Sequence, residues 1–475
     1  MVTATHAYRY LRPSSADLQR GLLGLQTSGG LTVAGPAANP RFFTGLLASP
    51  EVTAAGVLAV ANVARARYYQ PGLAASRDPV VTCSGDRLRF ESFSGCCGVY
   101  ARLDVLAGGL DGEVRDRGTT NVDVNGPLRE ALARVGAGDQ LQLTVGPDEL
   151  EVSTAEDAVV EKRVPLPERW LRGFAEVQVI CAPFDLRAEL AATEAARFLR
   201  SLPAGYRAGA LWAVPAGQGL RLAAGPASGA VCLAGPQRLE ALRPLLRFAS
   251  VLRVYGPPVR WGSPPVASAW ELGLPAPGPV RAHSSKDGIR LVVTLSPEAK
   301  RGFSGEGAVL DALAADDVAA NADLVGALLS FEPRVDVDLL AERSGLAPAE
   351  VKAALTQLGT AGRVGYDVAE AAYFHRELPY DAARVERMNP RLRSARALIA
   401  AGAVRLDGDI ATVLVADRVS RVRLGPGGQG LGCTCQWWAQ YRGTRGQCKH
   451  LLAAELARRG EQATPDGDPE SEVPV

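Results

Sequence analysis

The residues best suited to chemistry stand near the end of the chain: Cys433-Thr-Cys435, twelve intervening residues, then Cys448-Lys-His450. Three thiolates and one imidazole form a sulfur-rich, four-ligand set that suits a single tetrahedral zinc ion. Side chains two apart on an extended segment point the same way, so Cys433 and Cys435 can reach one ion without a helical turn. The 475-residue chain holds 8 cysteines and few histidines, so gathering four such residues into 433–450 is clustering beyond chance. Four protein ligands leave no open position for water or substrate, which predicts one structural ion and no catalytic metal. A Cys-x-Cys disulfide is strained, and zinc would hold these thiolates as inert ligands.

Charge around the motif is lopsided. Between residues 421 and 460, Arg421, Arg423, Arg442, Arg445, Lys449, Arg458 and Arg459 face a single acid, Glu455. Such a surface can track phosphates, and Trp437, Trp438 and Tyr441 offer stacking area. The residues expected to contact nucleic acid or a partner are therefore Trp437, Trp438, Tyr441, Arg442, Arg445 and Lys449. The competing expectation is that the two tryptophans form a mini-core beside the metal. The run Gly425–Gly432 lacks the Lys-Ser/Thr ending of a phosphate-binding loop.

The pattern Cys-x-Cys, variable spacer, Cys-x-His resembles the SWIM zinc finger family. All four ligand positions match, as Cys433, Cys435, Cys448 and His450, and Leu451-Leu452 follows as is common there. The resemblance implies a zinc module that binds DNA or protein. Cys96-Cys97-Gly-Val-Tyr-Ala-Arg and Gly118-Thr-Thr-Asn-Val-Asp are similar to bacterial SWIM-containing proteins. No ATPase or transposase motif set accompanies the finger, so neither activity is implied.

The elements that must position these residues predict an α+β, multidomain chain. Residues 1–75 read as a mainly helical region, with Leu18, Leu22 and Leu25 on one apolar face. Residues 76–160 read as an antiparallel sheet plus a helix. Runs such as Leu88-Arg-Phe-Glu and Val99-Tyr-Ala-Arg-Leu-Asp-Val alternate with period two, which argues for strands with one wet face. A further strand is expected at Glu149–Ser153. Residues 161–255 form a second α+β region, and the seven prolines of 256–279 suggest a linker or surface excursion. Residues 280–310 are an extended segment containing Ile289–Leu295.

Residues 311–389 are expected to form a winged helix-turn-helix-like domain. Asp311, Asp316, Asp317 and Asp323 precede helices at Leu324–Leu329, Val337–Ser344 and Pro348–Leu358, and a hairpin follows near Arg363–Tyr366. Val351, Leu355 and Leu358 fall on one core-facing side of the third helix. Its outward groups, Glu350, Lys352, Gln357 and the following Arg363, are a thin set for reading DNA. Residues 390–460 hold strands leading into the finger, and 461–475 read as an acidic disordered tail.

Other polar groups predict structural duties. Cys83, Cys96 and Cys97 lack a nearby histidine and are expected to pack in the core or to be redox-sensitive, in preference to forming a second metal site. Asn121, Asp123 and Asn125 suit turns and caps. His283 and His375 have no spaced catalytic partners, and no serine occupies a nucleophile elbow. No catalytic residue is assigned.

Lys+Arg is 52 and Asp+Glu 51, so total charge excludes no partner class. The absence of a signal-like or membrane-length apolar run predicts a cytoplasmic protein with reduced cysteines. The sequence thus points to a zinc-binding scaffold or regulator that engages DNA or a protein partner through its basic finger. An interaction adaptor without DNA binding, or an enzyme with its site in 76–255, are the alternatives.

Overall fold

The computed structural model describes residues 8–69, 78–147, 160–162, 168–203, 209–274, 288–303, 318–378, 390–426, 428–443 and 446–463. The expected strand at Glu149–Ser153, His283, Asp311, Asp316, Asp317, Arg445 and most of the acidic tail lie outside them. The fold is α+β, with several antiparallel sheets and packed helices. It divides into two compact units, Met1–Gly305 with Ala320–Asp381, and Glu306–Ala319 with Ala382–Val475. No described helix is long and apolar enough to cross a membrane.

Residues 1–75 are not mainly helical. Their described part holds six short strands, from Tyr8–Tyr10 to Phe43–Leu47, before the one helix Pro50–Arg65. Leu23 and Leu25 are buried on alternate positions of the strand Leu22–Leu25. Over so few residues, leucines three or four apart mimic a helical face while the true period is two.

The first unit is built on a ten-stranded antiparallel sheet. In spatial order its strands are Asp185–Ala191, Val251–Gly256, Ser268–Leu274, Ile289–Leu295, Val99–Val105, Leu88–Phe93, Val80–Cys83, Gly118–Asn121, Gly30–Thr32 and Gly35–Ala37. We label Leu88–Phe93 β1, Val99–Val105 β2 and Ile289–Leu295 β3. Ser268–Leu274 corrects the expectation of a linker or excursion across 256–279. This proline-free heptapeptide is a fully buried inner strand, and the prolines at 257, 258, 264 and 265 lie in the loop before it.

One face of the sheet is apolar. Leu88 and Phe90 of β1, Val99, Ala101, Leu103 and Val105 of β2, and Ile289, Leu291 and Val293 of β3 join one continuous core. The helix Pro50–Arg65 packs on this face, contacting β1 and β2. The opposite face carries Arg89, Glu91, Arg102, Asp104 and Arg290, and it is not wet as alternation predicted: all five are buried. The covering elements are helix α1 (Glu168–Cys181) and the winged helix region.

That region comprises α2 (Val318–Leu328), α3 (Val337–Ser344), α4 (Pro348–Thr360), and a hairpin of β4 (Val364–Asp367) and β5 (Ala372–His375). Asp336 caps α3 by accepting from the Asp338 and Leu339 N–H groups, and Gly345 ends it in the left-handed conformation that glycine adopts without strain. Glu350 reaches back to accept from the Ala347 N–H at 2.8 Å. Val351, Leu355 and Leu358 are buried, and α4 packs against α1.

The hairpin docks on the charged face through ion pairs. Asp367 accepts from Arg89 and Arg290 at 2.9 Å and from Arg102 at 2.7 Å, while Arg89 and Arg290 also reach Asp104. Arg376 pairs with Glu91, and the Arg89 guanidinium lies 3.7 Å from the Phe374 ring centre.

The second unit has α5 (Pro390–Ala400), then an antiparallel sheet of β6 (Val404–Asp407), β7 (Ile410–Val415), β8 (Arg418–Leu424) and β9 (Gly430–Cys433), in that spatial order. Two helices follow, α6 (Gln436–Tyr441) and α7 (Lys449–Ala463). On β8, Ser420, Val422 and Leu424 are buried while Val419, Arg421 and Arg423 are exposed. Helix α7 contacts all four strands and α5.

Candidate metal centre

Each ligand is placed by a different local device. Cys433 ends β9, opposite Val422 of β8. Cys435 is the N-cap of α6, its sulfur accepting from the Trp438 N–H at 3.4 Å. Cys448 directly precedes α7, and its sulfur accepts from the Leu451 N–H at 3.4 Å. His450 sits in the first turn of α7.

The four ligand atoms lie within 4.8 Å of one another. Tetrahedral zinc with bonds of about 2.0–2.3 Å holds its ligand atoms roughly 3.5–4 Å apart, and His450 Nδ1 lies 3.9 Å from Cys433 Sγ. Every sulfur also accepts one backbone N–H, Cys433 taking that of Cys435 at 3.4 Å. Such outer bonds orient thiolate ligands and soften their charge. These residues could hold a metal ion.

The electrostatics point the same way. A hydrogen bond from the Cys433 thiol, outweighing burial and aided by His450 and the Leu451 N–H, holds the Cys448 thiol down to about 4. Its bond to Cys448 and its burial drive the Cys433 thiol far up, and burial raises that of Cys435. Three thiolates this close repel one another, and the charge of a metal is what would let them coexist.

The surrounding shell is closely fitted. A Cβ on Gly430 would collide with Leu451 Cδ2, so only glycine lets α7 approach β9 this closely. Glu455, the one acid of 421–460, is buried and accepts from the Gly430 N–H and from Gln447.

Trp437 and Trp438 are half-buried against the small core of this unit, which agrees in part with a mini-core. Trp437 donates to the Gly446 carbonyl at 3.4 Å and lies 4.6 Å from the half-buried Tyr441 ring. Arg442 is exposed in the left-handed cap of α6, and Lys449 is half-exposed beside the ligands. Arg391 and Arg418, which sequence counting from residue 421 omitted, line a cleft next to the cluster.

The remaining polar groups serve structure. Asn125 caps the helix Gly126–Leu132 by accepting from Leu128 N–H, and Asp123 accepts from Ser14 N–H. Cys83, Cys96 and Cys97 are buried. His375 accepts from the Phe331 N–H and stacks on that ring. On α4, Glu350 is used as a cap and Thr356 bonds Tyr373; beyond its end, Arg363 is engaged by Glu377 and the Gly326 carbonyl.

Fold and site thus define an α+β protein with a winged helix region and a separate metal-competent Cys₃His unit. Residues 310–365 match the family described as DprA winged helix domain. No curated protein matches the chain. Proliferating Cellular Nuclear Antigen from Entamoeba histolytica is similar to it at 9% identity and a TM-score of 0.31, over 54% of this chain and 99% of that one. A likeness so distant carries no argument.

Proposed function

We propose that the C-terminal unit is a SWIM-type zinc finger whose single structural zinc orders a basic surface for nucleic acid, and that the N-terminal unit is its scaffold. The observation that carries this reading is the convergence of Cys433, Cys435, Cys448 and His450, each sulfur already bonded by a backbone N–H. Burial of Glu455 removes the only acid of 421–460 from the surface, while Arg421 and Arg423 stay exposed. The register sets Arg405, Thr412 and Arg421 abreast on the outward side of three strands. The likeness of residues 310–365 to a DprA winged helix domain agrees with a nucleic-acid role, although the buried hairpin and capped α4 leave the finger better equipped for contact.

The alternative of a protein-interaction adaptor is favoured by one observation: Ile410, Leu414, Val419 and Leu431 are exposed apolar residues on the same small sheet. Zinc-loaded full-length protein decides between the two. Reversing charge at Arg421 and Arg423 should weaken binding to labelled DNA and lower its salt dependence. Absence of binding to every single- and double-stranded probe would instead support the adaptor.

A further inference from the structure

Beside the metal-ligand cluster opens a cleft of about 730 Å³, walled by α5, the start of β8 and the N-terminal ends of α6 and α7. Among the described residues its charged lining consists of Arg391, Arg418 and Lys449, with no carboxylate. Zinc with three thiolates would carry one negative charge, so the three cations leave the cleft positive. Arg391 is fixed in place, donating to the Gln447 carbonyl at 2.9 Å with its guanidinium 4.9 Å from the Trp437 ring centre. Arg418 and Lys449 form no ion pair among the described residues, and both reach solvent. Lys449 also opens a 15-residue helix, whose positive dipole end adds to the field.

We propose that this cleft seats one nucleotide of a single-stranded nucleic acid, with the phosphate between Arg418 and Lys449 and the base against the Trp437 wall. The inference rests on the nucleic-acid reading above and narrows it to a strand type and a place. The volume falls in the range of sites that enclose a small molecule, roughly 300–1,000 Å³. An unpaired nucleotide can enter such a space, whereas the bases of a duplex stay stacked and present only their backbone. An acidic peptide would satisfy the cations but would make no use of an indole in the wall.

The test is fluorescence anisotropy with zinc-loaded full-length protein. The probes are a labelled oligothymidylate of about twelve nucleotides, a duplex of equal length and a glutamate-rich peptide. The single strand should bind more tightly than the duplex. Arg418→Ala and Lys449→Ala should each weaken it at least about tenfold and reduce the logarithmic salt slope by about 0.7, with zinc content unchanged. Trp437→Leu should weaken the single strand and spare any duplex binding. If both cation variants bind like the parent while Arg421→Ala and Arg423→Ala lose affinity, the seat is wrong and the broader reading stands. Equal affinity for duplex and single strand would overturn the inference in the same way. Binding of the peptide with neither nucleic acid bound would overturn both.

Discussion

At Asp367 three guanidinium groups converge on one buried carboxylate. Burial opposes ionisation there, but Arg102, Arg290 and Arg89 overcome it and hold the carboxyl well below the usual range. A depressed carboxyl contributes stability that is complete above its unfolded pKa, about 3.9, and is lost as pH falls toward the folded value. The ion pairs of Asp367 should therefore hold β4 undiminished between about pH 7 and 5 and weaken only below about 4, as followed by amide exchange at residues 364–367. Asp367→Ala should cost about 3–5 kcal/mol, because it strands buried arginines; a change under 1 kcal/mol in urea unfolding would show the pairs to be dispensable. At the metal centre the sign is the same for a different reason. Protons compete with the ion for sulfur, so metal should leave as pH drops from about 7 to 4, read with a chromophoric chelator. Cys433→Ser or Cys448→Ser should abolish metal binding at neutral pH, and unchanged metal content in both would remove the site.

Among elements, the contact of α7 with β9 is the least tolerant. Gly430→Ala forces a methyl into Leu451, with Glu455 close behind, and overpacking of this kind costs about 1–3 kcal/mol. Chemical denaturation of the C-terminal unit should show that loss, and wild-type stability would mean that α7 can shift outward freely. Legibility differed sharply between elements. Helices α3 and α4 were legible as short helical runs bounded by a turn at Gly345 and opened by Pro348, whereas the Asp336 cap emerged only in the structure. The short strands of residues 8–47 were not legible, because three to five residues cannot display a period. Helix α6 was hidden inside the ligand spacer, where its cap is a cysteine sulfur in place of the usual oxygen.

For the molecule as a whole, the winged helix region is not a free module. Asp367, Phe374 and Arg376 complete the charged face of the ten-stranded sheet, and α4 leans on α1. A fragment of residues 318–378 would expose these groups, and it should fail to fold alone. Far-UV circular dichroism and amide dispersion would show this, whereas a well-dispersed, cooperatively melting fragment would refute it.

By itself the sequence picked out the four Cys and His residues that the fold brings together, the three helices before the hairpin, and the basic balance around that cluster. Each depends on residue type and spacing over a few turns of chain. Tertiary structure alone decided that the charged side of β1, β2 and β3 is buried, since Arg89 meets its partner Asp367 278 positions away. Alternation shows that a strand has two unlike faces; it does not say what will cover the polar one. Tertiary structure likewise brought Arg391 and Arg418 to the metal centre, because the cleft they line is assembled from segments that no local pattern connects.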